Sequence, residues 1–89
     1  KMVLNYQEVN LAKLVRVIAE NFNSLAEDKG IHFNVQSPPI LIAEIDAEKM
    51  QHILLNLLSN AFKFVPANGL IVCTVSHDDH KATISVRDN

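Results

Sequence analysis

Asn56, Asn60 and Lys63 stand four and three residues apart in the run NLLSNAFK. At roughly 100° per residue this spacing puts all three on one side of a helix. His52 and Ser59 share that side, with Lys49 one turn earlier. A polar helix face is ordinarily only a solvated face, but such faces are usually built from Glu, Lys, Gln or Arg. Asn in a helix interior costs about 0.5 kcal/mol or more relative to Ala, so two of them one turn apart need a reason. An amide oxygen is a neutral hard ligand of the kind Mg²⁺ accepts while keeping several waters and sharing substrate phosphates. Lys63 would set a cation against the same phosphates. On chemistry alone the stripe suits a metal–nucleotide, and the solvated face remains open beside it.

The helix that must carry this stripe is predicted from Ala47 to about Phe64. Asp46 sits where an N-cap belongs, and Glu48 favours the positive end of the helix dipole. Pro66 and Asn68-Gly69 end it. Met50, Ile53, Leu54, Leu57, Leu58, Ala61 and Phe62 form its apolar arc. Upstream, Asn10 caps a helix over residues 11–29, in which Leu11, Leu14, Val15, Ile18, Phe22, Leu25 and Ala26 recur at helical spacing and Gly30 gives the stop. Residues 1–9, with Val3 and Tyr6 among polar neighbours, read as an edge strand. Ile31, Phe33 and Val35 alternate with polar residues in a half-buried strand, which Ser37-Pro38-Pro39 breaks before a second strand at Ile40–Ile45. Leu70–Ser76 and Ala82–Val86, joined by HDDHK, make an antiparallel hairpin. The order strand, helix, strand, strand, helix, strand, strand predicts an α+β fold: a two-layer sandwich with helices on one face of a mixed, mainly antiparallel sheet.

Composition bounds the function. The chain has 89 residues, 48% hydrophobic and 20% charged, with net charge −2, which describes one small domain and excludes a charged disordered tail. Near-neutral charge gives no electrostatic case for nucleic acid, and no apolar run is long enough to span or directly contact a membrane core. Cys73, the single cysteine, cannot form an internal disulfide, and its strand context predicts a buried thiol. Gly30 and Gly69 are the only glycines, too few for the glycine loops that usually surround phosphates.

The stretch DAEKMQHILLNLLSNAFKFVPANG resembles the N box of sensor histidine kinases, in the ATP-binding catalytic domain of the gyrase, chaperone and histidine-kinase ATPase superfamily. The VNL entry to the first helix, DKGI at its end and the final ISVRDN are similar to the same family, so the resemblance runs from about Glu8 to Asn89. It implies a Bergerat-type fold, incomplete here, over residues 1–89. It assigns Asn56 and Asn60 to Mg²⁺ and the ATP phosphates, and Lys63 to the phosphates. Phe64 stands where the family commonly has Tyr beside the nucleotide, without the phenol hydroxyl. Asp88 matches the aspartate that reads the adenine amino group, a contact that discriminates against guanine; without the resemblance it is an ordinary strand-end residue. Related ATPases of the superfamily carry a Glu where this chain has Asn56, and that Glu serves as general base for water. An amide cannot take a proton at neutral pH, so position 56 points to phosphotransfer. The parent is thereby implied to be a cytoplasmic or membrane-anchored protein-histidine kinase. Its partners would be a separate dimerisation domain bearing the acceptor histidine, and a response regulator. A serine-kinase anti-sigma protein and a degenerate interaction module are the alternatives.

His52, one turn before Asn56, is either a rim residue or a minor modulator of the phosphate site. His77 and His80 belong to a polar turn that lacks the further ligands a metal site needs, and His32 lies on the polar side of a strand. The family's acceptor histidine is followed by an acidic residue on a dimerisation helix, and none of the four has that context: His77 precedes Asp78, but in the polar turn. The family pattern continues beyond RDN with glycines and a mobile lid. From this we expect a catalytically inactive piece of a longer kinase, very weak or undetectable ATP affinity, and self-association through an exposed core or sheet edge.

Overall fold

The computed structural model describes residues 5–79 and 81–89. Its elements are β1 (Gln7–Asn10), α1 (Leu11–Glu20), α2 (Asn23–Lys29), β2 (His32–Gln36), β3 (Ile42–Ile45), α3 (Ala47–Phe64), β4 (Leu70–His77) and β5 (Ala82–Asp88). The strands form two ladders. β1 pairs antiparallel with β3, and β2, β4 and β5 lie side by side in that order. β2 runs parallel to β4, while β5 is antiparallel to it, Ile71 opposite Asp88 and His77 opposite Ala82. On β4 the alternate residues Ile71, Cys73 and Val75 are buried, whereas Leu70, Val72 and Thr74 on the other face are half-buried. The buried set joins Leu11, Val15 and Ile18 of α1 and Leu54, Leu58 and Phe62 of α3 in one core. Helices therefore cover one face of a mixed sheet, the predicted α+β sandwich. Burial also pushes the Cys73 thiol pKa up, which keeps it protonated.

The predicted helix over 11–29 is instead two helices. The Asn21 and Phe22 N–H groups donate to Ile18 and Ala19, three residues back, at 3.1 and 2.9 Å. This tightened turn ends α1 between two weak helix formers, Asn21 and Asn23. Phe22 turns inward there and stacks on Phe62 (centroids 5.3 Å apart, rings 17° from parallel), while Phe33 meets Phe62 edge-on at 5.1 Å. Gly30 is the predicted stop, at φ 68°. The first strand occupies only Gln7–Asn10 of the described residues; Val3 lies outside them, and Tyr6 is exposed.

The strand predicted at Ile40–Ile45 begins at Ile42, because the residues before it are held otherwise. Asn10 Oδ1 accepts from both Lys13 N–H (3.3 Å) and Leu41 N–H (3.2 Å), so one side chain caps α1 and fixes the approach to β3. Leu41 carbonyl accepts from Leu11 N–H at 2.7 Å. Arg16 pins the preceding turn, donating to Ser37 Oγ (3.0 Å) and to the Pro38 and Pro39 carbonyls (3.1 Å each).

Asp46 caps α3 as predicted, accepting from Lys49 N–H at 3.1 Å with one carboxylate oxygen and from Asn5 N–H at 3.0 Å with the other. The Asn5 bond, then the Lys49 bond, lower its pKa below 3.8. Its contribution to stability is therefore present in full above the unfolded value and is lost as pH falls through the lower folded one. We expect amide exchange at the first turn of α3 to accelerate on acidification below pH 3.8 in the native chain and to be pH-insensitive in that range in Asp46→Asn, after correction for intrinsic exchange. Equal pH responses in the two proteins would remove this role.

Candidate functional site

α3 is the predicted 18-residue helix Ala47–Phe64, capped at one end by Asp46 and released at the other into extended Val65 and Pro66. Its deeply buried residues are Leu54, Leu58, Ala61 and Phe62. The predicted apolar arc was too wide on one flank: Ile53 is 53% exposed and Leu57 42%. They line an open groove of about 670 Å³ with Ile42 and Ile45 of β3 and Ile84 of β5, and His77 and Lys81 stand at its hairpin end.

Next to that flank runs the polar stripe. His52, Asn56, Ser59, Asn60 and Lys63 are all exposed, as the spacing predicts. The side-chain amides of Asn56 and Asn60 have no partner among the described residues, so their oxygens are free for an external ligand. Phe64 is 72% exposed, and Lys63 Nζ lies 5.4 Å from its ring centroid. This cation–π contact keeps ammonium and ring side by side at the end of the helix.

Asp88 comes to the same end by a different route. α3 returns through residues 65–69 into β4, and Asp88 pairs with Ile71 near the start of that strand. Directly opposed residues share a sheet face, and Ile71 faces the helices, so Asp88 belongs to the helix side. Asn89 fixes the corner: its Oδ1 accepts from Leu70 N–H at 2.8 Å, and its N–H donates to Leu70 carbonyl at 3.3 Å. Gly69 is required there by crowding, since a Cβ on it would lie 2.5 Å from Val65 Cγ2 and 2.8 Å from Pro66 carbonyl. The positive φ of the turn falls on Asn68. The cavity of about 240 Å³ lined by Leu70, Val72, Arg87, Asp88 and Asn89 opens mainly on the other face of the sheet, which Leu70, Val72 and Arg87 occupy, and not on the helix side.

The donor set constrains what can bind. Among the described residues no three His, Cys, Asp or Glu side chains group to hold a metal. A divalent cation at Asn56 and Asn60 would need most of its oxygens from a ligand that brings its own charge, as a polyphosphate does. Their uncommitted amides and the neighbouring Lys63 fit that group. His52 is exposed on the stripe, His77 borders the groove, and His32 is exposed on β2. His80 lies outside the described residues. No described helix is long and apolar enough to cross a membrane.

Comparison with known proteins finds the histidine kinase-, DNA gyrase B- and HSP90-like ATPase family over residues 45–89. The sensor histidine kinase TmoS of Ectopseudomonas mendocina is 48% identical over 91 residues, covering 100% of this chain and 9% of its own length. The chain thus spans about a tenth of that curated relative. Histidine kinase ThkA, solved in complex with the response regulator TrrA, superposes with TM-score 0.89 at 29% identity, covering 97% of this chain and 26% of that one. Full-length ShkA, solved with AMPPNP, gives TM-score 0.84 at 31% identity, over 96% and 19% of the two chains.

Proposed function

Because this chain belongs to the family of histidine kinase-, DNA gyrase B- and HSP90-like ATPases, we propose that it carries the phosphate- and adenine-binding side of a sensor histidine kinase. The carrying observation is the exposed stripe Asn56, Asn60 and Lys63, with both amides uncommitted and no acid at position 56. Mg²⁺, when bound with ATP, would neutralise phosphate charge and polarise the phosphoryl group. Asn56 and Asn60 would orient that ion through their amide oxygens. Lys63 places a positive charge toward the phosphates, and Phe64 offers its exposed ring to the nucleotide. Asp88 accepts from the adenine amino group, which guanine replaces by a carbonyl.

An amide at position 56 cannot activate water, so the γ-phosphoryl group is held for a nucleophile brought by another domain. An imidazole nitrogen of the dimerisation domain attacks phosphorus; the N–P bond forms, the bond to the β–γ bridging oxygen breaks, and ADP leaves. The phosphoryl group then passes to a carboxylate of a response regulator, a partner class supported by the ThkA–TrrA complex. Binding of AMPPNP by ShkA supports ATP as the donor. Such chemistry belongs on the cytoplasmic side, where ATP is.

Incubation of a kinase containing this domain with γ-labelled ATP tests the reading. We expect protein-bound label that survives alkali and is lost in acid, the signature of phosphohistidine. Release of inorganic phosphate alone, or acid-stable label on serine, would contradict it.

A further inference from the structure

α3 ends without a glycine cap. Val65 leaves the helix at φ −73° and ψ 138°, the extended backbone favoured before proline. The last carbonyls of a helix have no partner within it. That of Ala61 accepts from Val65 N–H at 3.0 Å. The next, Phe62, is met from another element: Lys29 Nζ, at the end of α2, donates to it at 2.7 Å. The same ammonium adds a positive charge at the negative end of the α3 dipole.

Lys29 is itself firmly placed. It precedes Gly30, whose carbonyl accepts from Asn68 N–H at 2.9 Å, and Gly69 carbonyl accepts from His32 N–H at 2.9 Å. The α2–β2 and α3–β4 corners are knit by these bonds, and Lys29 reaches across from one to the other. The turn it caps carries Asn60, Lys63 and Phe64. Lys63 does not satisfy that carbonyl, for its ammonium lies against the Phe64 ring.

We propose that Lys29 is a positioning residue of the phosphate site: by capping Phe62 carbonyl it fixes the last turn of α3 and so the directions of Lys63 and Phe64. The proposal rests on the nucleotide reading above. A plain stabilising contact would instead act on the whole domain alike. The experiment compares amide exchange in the ¹⁵N-labelled 89-residue chain, in Lys29→Met and in Lys29→Arg, followed by Mg-ATP titration of a ¹⁵N-labelled kinase catalytic domain that contains this chain, unsubstituted and with each of the two substitutions. Lys29→Met should raise exchange at Lys63, Phe64 and Val65 by about tenfold, the scale of a lost hydrogen bond to a charged group. Leu54 and Leu58 should stay within about twofold, as expected for local opening without global destabilisation. Lys29→Arg, which keeps charge and donor, should restore native exchange. The Mg-ATP response of the Lys63 amide should weaken at least about threefold in Lys29→Met, a modest loss for a group acting through another, and recover in Lys29→Arg.

Unchanged last-turn exchange, or a uniform rise along α3, would overturn the proposal. So would a loosened turn with an unaltered Mg-ATP response. If the unsubstituted kinase catalytic domain shows no Mg-ATP response at Asn60 or Lys63, the nucleotide reading fails and the positioning role falls with it. The exchange data then still report whether the cap exists.

Discussion

Phe62→Ala lowers the stability of the domain by about 3–5 kcal/mol, the range for truncating a buried aromatic in a packed core. Phe62 is 1% exposed and lies between the stacked Phe22 ring and the edge-on Phe33 ring. It thereby ties together the tightened α1–α2 turn, β2 and the last turns of α3. Small domains hold only about 5–15 kcal/mol in all, so the variant should unfold at far lower urea. Because Asn60 and Lys63 are exposed beside the buried Phe62, the loss removes the platform of the site without touching its ligands. A urea midpoint within about 1 kcal/mol of the native one, on the linear scale, would show that this cluster does not hold the layers together.

Asn56→Ala and Asn60→Ala should do the reverse, leaving the fold intact and removing the chemistry. Both side chains are exposed and unpartnered among the described residues, and alanine is the better helix former. Thermal stability should hold or rise slightly. Histidine phosphorylation in a kinase containing either variant should fall about 100-fold or more, since supporting groups one shell further out are already worth 10–100-fold. Full transfer by either variant would return the stripe to a solvated face.

These expectations were legible in the sequence to different depths. α3 was legible because Asp46, the helical spacing and Pro66 act locally, and its amides stood out because a helix interior disfavours Asn. The division of the first helix was not: it depends on Phe22 finding Phe62, a partner distant in sequence. Periodicity gave the direction of the buried face of α3 but not its width, so Ile53 and Leu57 were counted inside. Whether a flank is covered depends on how far β3 and β5 reach around the helix. Arg16 and Lys29 were missed for a related reason, as each acts on backbone carbonyls far along the chain, and a carbonyl leaves no mark on residue type. Asp88 is legible only through the family resemblance; the structure adds its register opposite Ile71 and the lock made by Asn89.

The central claim is that the stripe on α3 receives a metal–nucleotide. Paramagnetic line broadening tests it most directly, because Mn²⁺ substituted for Mg²⁺ marks even weak encounters by proximity. With trace Mn²⁺ and excess ATP, the amides of Asn56, Asn60 and Lys63 should broaden first, and they should stay sharp with Mn²⁺ alone. Broadening centred on His77 and Lys81 at the hairpin end of the groove, or the same pattern without ATP, would contradict the account.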